Sequence, residues 1–193
     1  MPEACFDSIR KRVLKKLEAL SPSLTYHSVD HTLDVVAQAE RIATESGIGE
    51  REMFLLKVAG LYHDTGFLEL YTGHEEKSCE YFLQDSPDYQ FTESEEQIIC
   101  GLIMATKVPQ QPHSLLESIL CDADLDYLGR ADFDTIADSL KQELFSYRFV
   151  TSEEEWKRVQ LSFLQSHSYH TAASIALREP EKRKRINLLA VQG

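Results

Sequence analysis

The chain of 193 residues carries 20 Lys and Arg against 32 Asp and Glu, a net charge of −12, with 42% hydrophobic and 27% charged residues. That length suits one domain with a sizeable core, and that mixture excludes global disorder. The acidic balance excludes a nucleic-acid groove built on a broad basic surface; an anionic substrate then needs a local positive charge, which a bound metal ion supplies economically.

In chain order, residues 3–20 set Phe6, Ile9, Val13, Leu17 and Leu20 three and four apart, an amphipathic helix that Ser21-Pro22 ends. The start has scattered charges and no uninterrupted apolar run, so no secretion signal is read there. A second helix is predicted over residues 28–45, with Val35, Ala39 and Ile42 on one line and His31 a turn before them; Gly47 and Gly49 break it. A third runs from 50 to 62 or 64, ending before Gly66. Further helices are predicted at 74–84, 93–106, 114–128, 133–147, 153–165 and 171–177, and a last one after Pro180, a residue suited to a helix's first turn. The loop VPQQPH, residues 108–113, is the clearest break. The longest stretch free of Asp, Glu, Lys and Arg, Val159–Leu177, holds two histidines, two glutamines and several serines, too polar for lipid. Cys5, Cys79, Cys100 and Cys121 form no C-x-x-C pair, the pattern of free thiols in a reducing cytoplasm. The expectation is one all-α domain over 1–193, in a cytoplasmic protein, with no membrane or nucleic-acid partner and nothing that specifies an oligomer.

Chemistry enters where histidines and aspartates interrupt the apolar stripes: YHSVDHT at 26–32, LYHDTG at 61–66 and LCDADLDYLG at 120–129. His27 and His31 are four apart and would share a face of a continuous helix. Asp64 and Asp122 adjoin apolar residues, with no Arg or Lys within one turn of either. A carboxylate removed from water without a partner costs several kcal/mol, whereas a divalent cation balances two carboxylates at once and accepts imidazole nitrogen. The ligand set expected on these grounds is His31, His63, Asp64 and Asp122.

Their order, His, then His-Asp, then a distant Asp, resembles the HD superfamily of metal-dependent phosphohydrolases over about residues 26–130. The resemblance implies a compact HD helical bundle, its C-terminal helices, 131–193, covering the core, and one divalent ion (Mn, Mg, Fe, Co, Ni or Zn) used to hydrolyse a phosphate ester of a nucleotide or other small phosphorylated metabolite. Asp64 would both ligate the metal and orient the attacking water. His27, in a Tyr-His-x-x-x-His stretch similar to one in cyclic-nucleotide phosphodiesterases of the superfamily, is the candidate general acid. Relatives with two metals add two histidines. His74 matches the first, but the helix EEQIICGLIMATK ends at Lys107 without the second, so His74 and Lys107 are assigned to the substrate's phosphate. Two alternatives stay open at this point: an HD module that senses a nucleotide without turnover, and a di-iron oxygenase, which would need the missing histidine. His167, His170, Arg148 and Arg183 carry no spacing that assigns them a role.

Overall fold

A computed structural model describes residues 2–192. Among them the regular structure is helical: α1 (Pro2–Leu17), α2 (Val29–Glu45), α3 (Glu50–Tyr62), α4 (His74–Asp85), α5 (Glu93–Ala105), α6 (Leu115–Asp124), α7 (Phe133–Ser146), α8 (Glu153–Ser166) and α9 (Ala172–Gln192), with 3₁₀ turns at Thr65–Leu68, Ser86–Asp88 and Asp126–Gly129. The all-α expectation holds. No described helix is long and apolar enough to cross a membrane, and all four cysteines are free thiols.

Helix α3 is the hub. Phe54, Leu55, Leu56 and every residue from Val58 to Tyr62 are buried, so past its charged first turn the helix is apolar on nearly every side, Lys57 excepted, as suits a helix surrounded by others. It packs against α1, α2, α5 and α6 around one core that includes Ile9, Val35, Ile42, Leu102 and Ile119. A second apolar cluster, with Tyr26, Leu128, Phe133, Trp156 and Leu164, joins the 126–129 turn to α7 and α8, and Ile186 and Leu189 of α9 pack onto it. The metal-ligand candidates lie where the ends of α3 and α6 meet the start of α2.

Three boundaries differ from expectation. The predicted 3–20 helix tightens after Leu17 into a turn in which Ala19 and Leu20 donate to carbonyls three residues back. The predicted 114–128 helix breaks at Leu125 and resumes as the 3₁₀ turn. Pro180 does not open a new helix but lies inside α9. A proline there forfeits one backbone hydrogen bond and crowds the preceding turn, but the helix is anchored on both sides of it. Arg178 reaches Asp126 before it, and Lys182 (2% exposed) reaches the His167 carbonyl at 2.6 Å after it. The close approach of α9 needs Gly129: a Cβ there would stand 2.4 Å from the Arg178 carbonyl oxygen.

His167 is part of this anchorage. Its Nδ1 lies 3.2 Å from the Lys182 ammonium, and burial, with the Lys182 charge second, pushes the imidazole down to about 3. In the unfolded chain it titrates near 6.5. The unfolded state therefore binds more protons between those values: the stabilisation is complete above about pH 6.5 and is lost as pH falls towards about 3. From pH 7 to pH 5 the wild type is expected to lose about 1–2 kcal/mol more than His167→Gln, read by denaturant unfolding at both pH values. Equal losses would contradict the assignment.

Candidate metal centre

The end of α3 delivers the doublet. His63 is the helix's C-terminal cap, its amide on the Ala59 carbonyl at 2.9 Å, and its Nδ1 donates to the Gly60 carbonyl at 2.8 Å. A carbonyl only accepts, so Nδ1 carries the hydrogen, and Nε2 of the neutral ring presents a lone pair away from the helix. Ser78 holds the following turn, donating to the His63 carbonyl at 2.7 Å and accepting from the Gly66 amide at 2.8 Å. Gly66 has no Cβ for a physical reason: one would stand 2.0 Å from the His74 carbonyl oxygen. Glycine there lets α4 start against the doublet. On α2, Ser28 caps the helix and places His31 in its first turn, with the His31 ring against Tyr26.

Four polar atoms converge. His31 Nε2 lies 3.3 Å from Asp64 Oδ2, 3.2 Å from Asp124 Oδ1 and 3.4 Å from His63 Nε2, while His63 Nε2 lies 3.1 Å from Asp64 Oδ2 and 3.6 Å from Asp124 Oδ1. Donors on one ion with bonds of about 2.1 Å stand roughly 3.0 Å apart at right angles and roughly 3.4 Å apart at tetrahedral angles. The spacings match. Asp64 Oδ2 is buried without a hydrogen-bond partner, a costly state for a carboxylate oxygen unless a cation satisfies it. Without one, protons must take that place. Burial disfavours charge on His31, but the neighbouring Asp124 and Asp64 carboxylates outweigh it and carry the ring up to about 9; His63 is raised likewise, while the two imidazoles lower Asp64 and Asp124, Asp124 to about 2. Two nitrogen and two oxygen donors suit a divalent transition ion or Mn²⁺. The residues present fit the group.

A family model described as HD domain matches residues 28–125. The chain belongs to the HD-domain family. HD domains bind divalent metals, and the geometry above gives this one a His/Asp cluster able to do so. The fold is similar to that of a predicted HD superfamily hydrolase from an uncultured Thermotogales bacterium, with TM-score 0.61 and 22% identity over 95% of this chain and 92% of that one; at that identity the likeness concerns the fold. No curated protein matches the chain.

The fourth member of the cluster corrects the sequence reading. Asp122 is fully buried, but its carboxylate accepts from the His170 amide at 2.8 Å, the Thr171 amide at 2.8 Å and the Thr171 hydroxyl at 2.7 Å. It tethers α6 to the start of α9. Two residues further on, about 200° around the helix, Asp124 faces His31 and His63. Asp126 does a third job: its Oδ1 accepts from Arg41 Nη2 and Arg178 Nε, both at 2.9 Å.

His27 lies before α2 rather than on it, so no shared helical face brings it to His31. The chain turn does, leaving the two ring centroids 6.0 Å apart. Its Nδ1 meets Glu143 Oε1 at 2.5 Å, and Glu143 Oε2 accepts from the Tyr26 and His27 amides at 2.9 and 3.0 Å. Tyr71 donates to Glu143 Oε1 at 2.8 Å. Burial raises this fully enclosed carboxyl, but the His27 contact and the two amides outweigh it and hold it below the usual range. Sequence reasoning missed Glu143. His74 donates from Nδ1 to the Tyr71 carbonyl at 3.1 Å and brings Nε2 within 3.7 Å of Asp64 Oδ1; its ring and that of His27 both stack on Phe67, at 3.9 and 4.0 Å. Lys107 does not reach the cluster: its exposed ammonium pairs with Glu76 at 2.5 Å, on the rim of the adjoining cavity.

Two cavities meet at the cluster, sharing Tyr26, Asp124 and Tyr127 as a partition. The larger, about 670 Å³, also contains His27, Asp64 and His74 in its wall. The smaller, about 330 Å³, opens on His31 and is polar, with Asp30, Asp34 and Arg130.

Proposed function

We propose that this chain hydrolyses a small phosphate ester, with one divalent cation held by His31, His63, Asp64 and Asp124. The observation that carries the reading is the convergence of two imidazole nitrogens and two carboxylate oxygens, with Asp64 Oδ2 buried and lacking a hydrogen-bond donor. A divalent ion bound there supplies an acidified water near neutral pH and offsets charge gathering on the phosphoryl group.

The protein's own groups divide the remaining work. The two oxygens of Asp64 face different ways, Oδ2 into the cluster and Oδ1 towards His74, so the same side chain can hold the ion and accept a hydrogen bond from the attacking water. His74, its Nδ1–H spent on the Tyr71 carbonyl, is assigned to donate from Nε2 to a phosphoryl oxygen as the imidazolium. As water adds to phosphorus and the bond to the leaving oxygen breaks, that oxygen needs a proton, and His27 Nε2 is assigned to give it. Glu143 fixes the ring's orientation, since Nδ1–H is spent on its carboxylate and Nε2 is left free for the leaving oxygen.

His27→Gln is expected to lower kcat by roughly 10²–10⁴ while the bound-metal content stays unchanged, and Glu143→Gln to lower kcat by about 10–100-fold with KM nearly constant. Steady-state kinetics on a phosphate ester, with metal analysis of each variant, checks both. Full turnover in His27→Gln would remove the general-acid assignment.

A further inference from the structure

The larger cavity has a composition that a nucleotide-polyphosphate site would not have. Beyond His27 and Asp124 it widens into an apolar chamber formed by Leu128, Phe133, Leu144, Trp156, Phe163 and Leu164. Among the described residues, Lys107 is the one Lys or Arg in its wall, and that charge already faces Glu76. Gln160 is the one amide side chain there, the other neutral polar groups being hydroxyls such as those of Tyr71, Thr72 and Thr106. At the mouth the apolar surface continues outward: Val108, Phe149 and Val159 are exposed and line the same cavity. His27 belongs to this wall and not to that of the polar cavity across the Tyr26–Tyr127 partition. The leaving oxygen is therefore on the apolar side.

We propose that this chamber is the subsite for the leaving group, and that the substrate is a phosphate ester of a large apolar alcohol, such as a medium-chain alkyl or terpenoid-like alcohol. The proposal rests on the hydrolase reading, and it adds that Leu144, Trp156 and Val159 determine specificity. The whole cavity, chamber and catalytic end together, is about 670 Å³, within the range that encloses a small-molecule ligand. Burying successive methylenes against these side chains gives affinity that grows with chain length.

The test has two arms on the full-length, Mn²⁺-loaded protein. In the first, calorimetry measures binding of straight-chain alkylphosphonates, which cannot be hydrolysed at the P–C bond. Affinity is expected to rise about fourfold per methylene between butyl and octyl, with an increasingly negative heat-capacity change. In the second, kcat/KM for alkyl phosphates of the same lengths is expected to follow that slope and to exceed the value for adenosine monophosphate. Val159→Glu, on the exposed rim, should flatten both slopes, while Ile175→Glu, on the exposed face of α9 outside the cavity, should leave them intact. A binding slope without turnover would support the subsite while removing the hydrolase reading. Turnover that is flat with chain length, or adenosine monophosphate as the better substrate, would overturn the subsite and leave the hydrolase reading standing.

Discussion

Asp124→Asn is expected to lose more than about 100-fold in metal affinity, a larger loss than removing a group that merely orients a ligand, and to lose turnover with it, while the protein still folds. An asparagine is nearly isosteric but cannot balance the ion's charge, and Asp124 Oδ1 approaches both imidazoles of the cluster. Asp122→Ala should behave in the opposite way. It strands the His170 and Thr171 amides and the Thr171 hydroxyl, and leaving buried donors unpaired costs about 1–3 kcal/mol each before relaxation. A net destabilisation of about 2–4 kcal/mol follows, with metal still bound by the folded fraction. Denaturant unfolding and metal titration on the same two proteins separate the roles. An Asp122→Ala protein that folds normally but fails to bind metal would reverse the assignment.

Asp126→Asn is expected to cost about 3–5 kcal/mol, the range for removing one partner from a buried ion pair. The carboxylate is fully buried, and the arginines come from α2, the segment before α7, and α9. Arg41 keeps Glu45, and Arg130 keeps Asp34 and Asp132, so the loss falls mainly on Arg178, whose Nε and Nη2 each lie 2.9 Å from an Asp126 oxygen. Arg178→Met added to Asp126→Asn should then cost much less than the sum of the single changes, the mark of a direct pair in a double-mutant cycle. Strict additivity in urea unfolding would show that the pair does not act as a unit.

Much of this fold was legible because each helix announces itself locally. The apolar spacing of α1 and α2, and the breaks at Gly47 and at 108–113, follow from side chains within a turn or two of one another. His31 and the His63-Asp64 doublet were legible for a related reason, since polar groups at the ends of apolar stripes demand a partner. The third ligand was not. Asp122, Asp124 and Asp126 are evenly spaced among apolar neighbours, so local pattern cannot say which carboxylate meets the imidazoles. That choice is made by α9, whose first amides claim Asp122, and by three arginines that claim Asp126. Glu143 was illegible for the same reason: within α7 it reads as one more surface charge, and only the docking of that helix against the turn before α2, 116 residues away, buries it on His27. Pro180 misled because a helix held at both ends tolerates a residue that local rules place at its start.

Crystals grown or soaked with Mn²⁺ and measured for anomalous scattering test the central assignment most directly. One peak is expected, about 2.0–2.2 Å from His31 Nε2, His63 Nε2, Asp64 Oδ2 and Asp124 Oδ1. No peak at these four atoms, or a peak coordinated by Asp122, would contradict it.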